Sequence, residues 1–388
     1  MKKEKIIIVC LDSFRFDYLE KTRFLKNLAK RHKYGMLETV LGFNSIGASL
    51  LTGKEPQEHG IFTKFWYTPG NSPFKFLGKF SFLEGGWGEG WLRKLAELWF
   101  MLRQFLKGGY LTRIYKLPLA RIGDFDVSSR KAFTELGAFG RIKSIPDILR
   151  EKGIKFLFFD WPVIAGSGGR RIDFCLNQDE AKLRSLLRHK EEAEFFWIKF
   201  WDLDTVAHKF GVESKQAREV LRGLDDISER LVESFGGEEK VDFLFWADHG
   251  MVEVKKTIDI ESLFKDFKVK MFLDSTLARF WETKGKEKEI LRRLRGLPGK
   301  ILGEGERKKY KIDFGHKKYG EIIFLAEPGV LIYPNYFEGK VKYKAMHGYD
   351  PAYPDQKGIY ISSLGRGREN KKMTEMFGEI KGLIDNRY

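Results

Sequence analysis

Six residues in four short segments have the types that hold divalent cations. Trp201-Asp202-Leu203-Asp204-Thr205-Val206-Ala207-His208 sets a carboxylate and an imidazole four residues apart. One helical turn then places Asp204 and His208 on the same face, where they either share one ion or simply pair at a surface. The apolar run Phe243 to Ala247 leads into Asp248-His249-Gly250, and an acid next to an imidazole at the end of a buried run is costly unless something neutralises or ligates it. Ala345-Met346-His347-Gly348 offers a third imidazole in a turn-rich stretch, and Asp12 ends the N-terminal apolar run. Singly, His347 also reads as a satisfied loop histidine and Asp12 as a turn former. Together, Asp12 with Asp248 and His249, and Asp204 with His208 and His347, form two oxygen-and-nitrogen sets. A pair of divalent ions about 3.5–4 Å apart needs two such sets, and it clamps the attacking and leaving oxygens of a displacement at phosphorus. The other histidines, His32, His59, His189 and His316, have no such company.

Residues this far apart in sequence need a frame that gathers them. Lys5 to Leu11 is a continuous apolar, β-branched run ending at Asp12, the pattern of a strand buried on both faces, and Asp17 to Arg31 follows with helical apolar spacing. Similar strands are expected at Lys155 to Phe159, Phe195 to Phe200 and Val241 to Trp246, after helical stretches such as Ile145 to Lys152 and Ala217 to Phe235. The alternation predicts an α/β fold with a doubly wound, mostly parallel sheet and helices on both faces. Ligands in such sheets bind beyond the carboxyl ends of the strands. Asp12, Asp202 with Asp204, and Asp248 all stand at those exits.

Two stretches break the rhythm of what otherwise reads as one domain over residues 1–388. Residues 65–125 are rich in Phe, Trp, Gly and Arg and predict a lid. Inside it, Leu92 to Leu106 puts Leu95, Leu98, Trp99, Leu102 and Phe105 on one helical face, for packing on the core or for contact with a lipid surface. Residues 257–340 predict a late cap, opening with Lys-rich helices (Lys286 to Arg295) and closing with strands at Glu321 to Ala326 and Val330 to Tyr333.

The chain's 388 residues are enough for one large core with excursions, and a hydrophobic share of 43% excludes a disordered chain. The 70 Lys+Arg against 54 Asp+Glu leave a net charge of +16, which favours anionic partners or a basic solvated surface. Cys10 and Cys175 read as buried thiols in a reducing compartment, which excludes a cysteine-held zinc and predicts a cytoplasmic location, with a place peripheral to the membrane as the alternative. The Lys, Glu and Arg content resembles that of hyperthermophile proteins. No apolar run reaches the roughly 18 residues a membrane-spanning helix requires, and no secretory signal is visible.

The order of motifs resembles the type I phosphodiesterase/nucleotide pyrophosphatase family of the alkaline phosphatase superfamily. Asp12 comes first, then Ala48-Ser49-Leu50-Leu51-Thr52-Gly53 with Pro56, His59, Gly60 and Ile61. Asp204-x-x-x-His208, Asp248-His249-Gly250-Met251 and His347-Gly348-Tyr349-Asp350 follow. Phe272 to Trp281, with Asp274 and Arg279, and Tyr319-Gly320-Glu321 running to Glu327-Pro328-Gly329 are also similar to that family. The resemblance implies an alkaline-phosphatase-like α/β core and two divalent ions, zinc or alternatively manganese. Asp12, Asp248 and His249 would hold one ion, and Asp204, His208 and His347 the other.

It further implies a hydroxyl nucleophile at a helix N-terminus that forms a covalent phospho-enzyme. Counted back from Thr52-Gly53 without a gap, that nucleophile falls on Phe43, which cannot attack phosphorus. Ser45 is the nearest hydroxyl and the expected nucleophile, facing a metal ion, with Thr39 behind it; the alternative is that Ser45 only caps the helix. The asparagine that steadies a phosphate oxygen in the family corresponds to Lys64, so either Lys64 or Asn44 would take that role.

The expected function is hydrolysis of a phosphoester or phosphodiester, with a small-molecule or lipid-linked phosphate as substrate and no specific nucleic-acid binding. Peripheral membrane contact is expected, if anywhere, through residues 85–110. On the same scaffold a phosphomonoesterase is an alternative, as is a phosphoglycerate-mutase-like phosphotransferase, for which Arg170 and Arg171 are the only tempting phosphate-gripping pair. A non-catalytic homologue that binds membranes or polyanions is the reading from another class.

Overall fold

In the computed structural model, which describes residues 5–85, 87–107, 114–159 and 178–387, the strands in chain order begin with β1 (Lys5–Leu11), β2 (Lys33–Glu38), β3 (Phe65–Tyr67), β4 (Phe125–Val127), β5 (Phe156–Phe159), β6 (Phe195–Phe200) and β7 (Val241–Trp246). The main helices are α1 (Phe24–Arg31), α2 (Ser45–Thr52), α3 (Pro56–His59), α4 (Trp87–Lys107), α5 (Leu119–Ile122), α6 (Ile145–Glu151), α7 (Asp179–Arg188), α8 (Asp202–Phe210) and α9 (Lys215–Ser234). Cys175, Arg170 and Arg171 lie outside the described residues, whereas Cys10 is a buried thiol in β1.

β1 is central because its apolar residues have no solvent side. It pairs in parallel with β6, which pairs with β5, and on its other edge with β7. Alternation along the strand sends Ile7, Val9 and Leu11 to one face, where α1, α7 and α9 cover them, and Ile6, Ile8 and Cys10 to the other. That second face is covered by α2, α6 and the C-terminal helix Met376–Asp385. α9 shows how local sequence serves this packing. Ser214 caps it by accepting from the Ala217 N–H, and Ala217, Leu221, Leu224, Ile227 and Leu231 form its buried stripe. Beyond β7 come Gly358–Ser362 and β2, antiparallel to one another, and the short strands Gly367–Arg368 and Lys371–Lys372 complete the sheet by pairing in parallel with β2.

The two excursions fold together. β3 and β4 pair antiparallel and close the base of the first. The second builds a four-stranded antiparallel sheet in the order Lys270–Leu273, Leu277–Trp281, Ile322–Ala326, Gly299–Ile301. Phe65, Leu77, Ile114 and Phe125 of the first share one apolar cluster with Phe272, Phe280, Trp281 and Ile332 of the second.

α4 covers the helix predicted over Leu92 to Leu106, with a different face turned inward. Leu92, Arg93 and Ala96 face inward, and Arg93 donates to the carbonyls of Tyr115 and Leu117 at 3.2 and 2.9 Å. Leu95, Leu98, Trp99 and Leu102 are exposed, together with Trp91. Among the described residues no helix is long and apolar enough to cross a membrane.

Candidate metal centre

Three neighbouring parallel strands, β7, β1 and β6, end at one rim, and the residues leaving them form the site. The Asp12 N–H donates to the carbonyl of Phe200 at 2.9 Å, so the chain leaving β1 stays tied to the end of β6. Ser13 then turns with φ of 62°, a left-handed conformation that costs a serine roughly 1 kcal/mol. This turn brings its Oγ between the two halves of the site. Oγ donates to Asp204 Oδ1 at 2.6 Å and lies 3.3 Å from His249 Nδ1.

Asp204 in the first turn of α8 and His208 in its last are four residues apart, with His208 Nε2 3.4 Å from Asp204 Oδ1. The other ring nitrogen, His208 Nδ1, is 2.8 Å from the Ala345 carbonyl, which assigns the proton to Nδ1 and leaves the Nε2 lone pair facing Asp204. His249 repeats the arrangement. Its Nδ1 is 2.9 Å from the Gly250 carbonyl, and its Nε2 faces Asp12 Oδ1 at 3.5 Å and Asp248 Oδ2 at 3.6 Å.

The His347 loop is built from the other side. Ala345–Met346 pairs with Val252–Glu253, the N–H groups of Gly348 and Tyr349 donate to Gln356 Oε1 at 2.7 and 2.8 Å, and Thr276 Oγ1 donates to the Gly348 carbonyl at 2.8 Å. The His347 ring stacks on His249 with centroids 3.6 Å apart and places Nε2 3.9 Å from Asp204 Oδ1. Phe43 packs edge-on against His347, centroids 5.3 Å apart, so closely over Gly348 that a Cβ there would lie 2.7 Å from its ring.

Imidazole lone pairs aimed at carboxylates repel unless a cation stands between them. Asp12 Oδ1 and His347 Nδ1 are moreover buried with no hydrogen-bond partner. The donor set therefore fits divalent metal. Asp204, His208 and His347 offer ligand atoms within 4.8 Å of one another, and so do Asp12, Asp204 and His249. Asp204 belongs to both groups. Asp248 stands beside them with Oδ1 accepting from the N–H groups of His249 (3.0 Å) and Ser13 (3.4 Å), and Oδ2 accepting from Lys199 Nζ at 2.8 Å.

Burial, reinforced by the charge of Asp248, raises the Asp12 carboxyl well above its ordinary range. Asp248 is lowered in spite of burial, because His249 and Lys199 favour its charge. Burial, with His249, His208 and Lys199 nearby, also holds His347 well below the usual imidazole range, so that it is neutral and able to ligate.

A cavity of about 340 Å³ opens over these ligands, walled by Phe43, Asn44, Ile46 and Gly47 on one side and by Ser129, Lys131, Phe133 and Thr134 on another. Asn44 thus faces the cavity. Ser45, the first residue of α2, is fully buried, and its Oγ lies 2.7 Å from the carbonyls of both Leu41 and Gly42. Phe43, not Ser45, faces the ligands. Lys64 is buried outside the cavity wall, and the lysine that does reach the carboxylates is Lys199, which the sequence reading passed over. Its signal was a charged residue inside the otherwise apolar strand Phe-Phe-Trp-Ile-Lys-Phe. Ser13 gave no signal, since a serine after a strand ordinarily marks a turn. His59, part of the motif after α2, is structural: Nδ1 accepts from the Ile61 N–H at 3.2 Å and Nε2 lies 3.0 Å from Ser49 Oγ.

Residues 6–350 match the type I phosphodiesterase / nucleotide pyrophosphatase family. No curated protein matches the chain. Among solved structures the chain is similar to human ectonucleotide pyrophosphatase/phosphodiesterase 5, with a TM-score of 0.69, 15% identity, and 98% of this chain and 95% of that chain covered. The murine counterpart gives a TM-score of 0.68 at 16% identity, covering 98% and 95%. An inactive form of the murine protein in complex with AMP gives 0.67 at 15%, covering 99% and 95%. These likenesses concern the fold, which is the alkaline-phosphatase-like arrangement anticipated from the motif order.

Proposed function

The chain belongs to the type I phosphodiesterase / nucleotide pyrophosphatase family, a family of metal-dependent hydrolases acting on phosphoester bonds, and from that premise we propose that it cleaves a phosphodiester or pyrophosphate bond in a small molecule. What carries the reading is the convergence of Asp12, Asp204, His249 and His347 at the floor of one cavity, with His208 beside them and with Asp12 Oδ1 and His347 Nδ1 buried without a partner. Zinc suits this mixed imidazole and carboxylate set, with manganese the alternative. When bound, such ions act as Lewis acids toward the phosphoryl oxygens.

The chain's own residues then divide the remaining work. Asp204, shared by both ligand groups, fixes the spacing of the two halves. Asn44 and the first turn of α2 face the same cavity, where a helix N-terminus favours an anionic phosphoryl group. Lys131 adds positive charge on the opposite wall. In the phosphoseryl route, Ser45 rotates about χ1, gives up the Leu41 and Gly42 carbonyls, loses its proton to water and forms an Oγ–P bond as the P–O bond to the leaving alcohol or phosphate breaks; water then cleaves the phosphoseryl ester and frees the hydroxyl. Its place at the helix start supports this role, and Phe43, where the ungapped motif count puts the nucleophile, has no hydroxyl to offer.

Initial rates on bis-p-nitrophenyl phosphate and p-nitrophenyl phosphate, with zinc or manganese returned to stripped protein, test both levels. The proposal expects metal-dependent turnover with the diester preferred, and a loss of at least about 10³-fold in kcat for Ser45→Ala. Full activity in Ser45→Ala would assign attack to water and end the phosphoseryl route. No turnover with either metal would favour the non-catalytic homologue.

The observed stripe on α4 favours a second reading, of where substrate is met. Trp91, Leu95, Leu98, Trp99 and Leu102 face solvent on one helix, and Phe76 and Phe82 are exposed beside it. A net charge of +16 would help such a stripe reach an anionic bilayer, where lipid-linked phosphoesters reside. Co-sedimentation with phosphatidylglycerol vesicles is expected for the wild type and lost in Trp91→Glu/Leu95→Glu. Equal sedimentation of both proteins would remove this reading.

A further inference from the structure

Lys199 is the only charged residue of β6, and it stands one residue before the strand ends. It is paired in register with Cys10 of β1, whose other neighbour is Trp246 of β7, so it emerges among the exits that carry Asp12 and Asp248. Its Nζ lies 2.8 Å from Asp12 Oδ2 and 2.8 Å from Asp248 Oδ2. Both carboxylates are nearly buried, with side chains 8% and 9% exposed. Two buried carboxylates that meet at one atom need a cation if both are to carry charge, and Lys199 Nζ contacts both.

The contacts of Asp248 sharpen the point. Oδ2 accepts from Lys199, and Oδ1 accepts from the N–H groups of His249 and Ser13. Asp248 is accordingly in neither group of convergent ligand atoms, and on this side Asp12 Oδ1 and His249 Nε2 are left to bind an ion together with the shared Asp204. The other side keeps its full set of Asp204, His208 and His347.

We propose that Lys199 is the resident counter-cation of the Asp12–Asp248 pair, making the two halves of the centre unequal: the Asp204–His208–His347 side binds its divalent ion tightly, and the Asp12–His249 side binds a second one only weakly, against the ammonium. This rests on the metal-dependent reading above but goes beyond it, because it assigns the charge of one half to a side chain. Lys199 is a positioning residue in this role. It holds Asp12 and Asp248 in place and sets how many ions the centre retains.

Zinc bound per folded chain, measured by equilibrium dialysis against a zinc–chelator buffer with elemental analysis, tests this independently of turnover. In wild type we expect one tightly held ion and a second at least about 100-fold weaker, as repulsion between an ammonium and a dication at contact distance implies. Lys199→Met is expected to hold two ions with affinities within about tenfold of each other, and Lys199→Arg to keep the one-ion pattern. Two equally tight ions in wild type, or an unchanged single ion in Lys199→Met, would overturn the proposal. Absence of zinc binding in every form would instead overturn the metal-dependent reading, and this inference with it. If metal-free Lys199→Met does not fold, the spacing of the two wild-type affinities decides alone.

Discussion

Ser13 shows how much one residue contributes where two halves of a site meet. Its hydroxyl donates to Asp204 Oδ1 at 2.6 Å while its backbone is held at φ of 62°. Glycine would adopt that turn without steric strain but would leave Asp204, the candidate ligand common to both groups, without its donor. Ser13→Gly is therefore expected to leave stability unchanged or raise it by up to about 1 kcal/mol, while metal affinity falls by about 10-fold or more, the usual effect of removing an outer partner from a ligand. Denaturant midpoints and zinc titrations of the same samples check the two halves, and a variant that lost stability without losing affinity would contradict the assignment. The six ligand-type residues were legible because their chemistry has few other uses at strand exits. Ser13 and Lys199 were not, because their roles depend on φ and on a lysine reaching across two strands, neither of which spacing encodes. Conversely Lys64 occupies a suggestive place in the motif order yet lies outside the cavity wall, and Ser45 shows its hydroxyl to the backbone.

At the scale of elements, the turn from β6 into α8 sets the position of Asp204, and a pair of acids fastens it. Asp179, opening α7, accepts from the N–H groups of Trp201 (2.8 Å) and Asp202 (3.1 Å), while the Asp179 N–H donates to Asp202 Oδ2 at 3.0 Å. Burial, followed by the charge of Asp202, pushes the Asp179 carboxyl up to about 7 from 3.8. The folded chain thus holds a proton that the unfolded chain has released, so stability is greatest below about pH 4 for this group and falls as pH rises toward 7, by about 1.4 kcal/mol for each pH unit at most. Asp179→Asn removes that slope, whatever constant offset its lost hydrogen bond introduces. Guanidinium unfolding of metal-free protein between pH 4 and 8 is expected to show the two stability curves diverging in favour of the variant as pH rises; parallel curves would mean that Asp179 is ionised throughout. The strands feeding this rim were readable as unbroken apolar runs. β2 and Gly358–Ser362 were not: β2 mixes polar and apolar residues, Gly358–Ser362 is only five residues long and opens on a glycine, and both take their place from the strands they pair with.

The whole molecule is a sheet with a lobe leaning over its active rim, and the lobe is made by both excursions at once. Arg279, fully buried in the second excursion, donates to Asp274 Oδ2 at 2.9 Å and to the Phe65 carbonyl of the first at 2.8 Å, with its guanidinium over the Phe272 ring at 4.7 Å. Two residues along from Asp274, Thr276 holds the Gly348 carbonyl next to His347. The motif from Phe272 to Trp281, visible in the sequence only as a family likeness, is thus the clasp that joins lid, cap and ligand loop. Sequence periodicity had placed two separate insertions, because packing between residues 146 to 214 positions apart leaves no local trace. Arg279→Ala strands a buried carboxylate that burial already raises to about 6 despite its partner, so a loss of about 3–5 kcal/mol is expected. The loss should be shared across the lobe. Hydrogen exchange is expected to speed up together in 65–85, 114–127 and 270–332 and in the His347 loop, while β1, β6 and β7 keep their protection, as befits a unit that opens cooperatively apart from the sheet. Loosening confined to 270–332 would show instead that the first excursion stands by itself, and that His347 depends on the sheet rather than on the lobe above it.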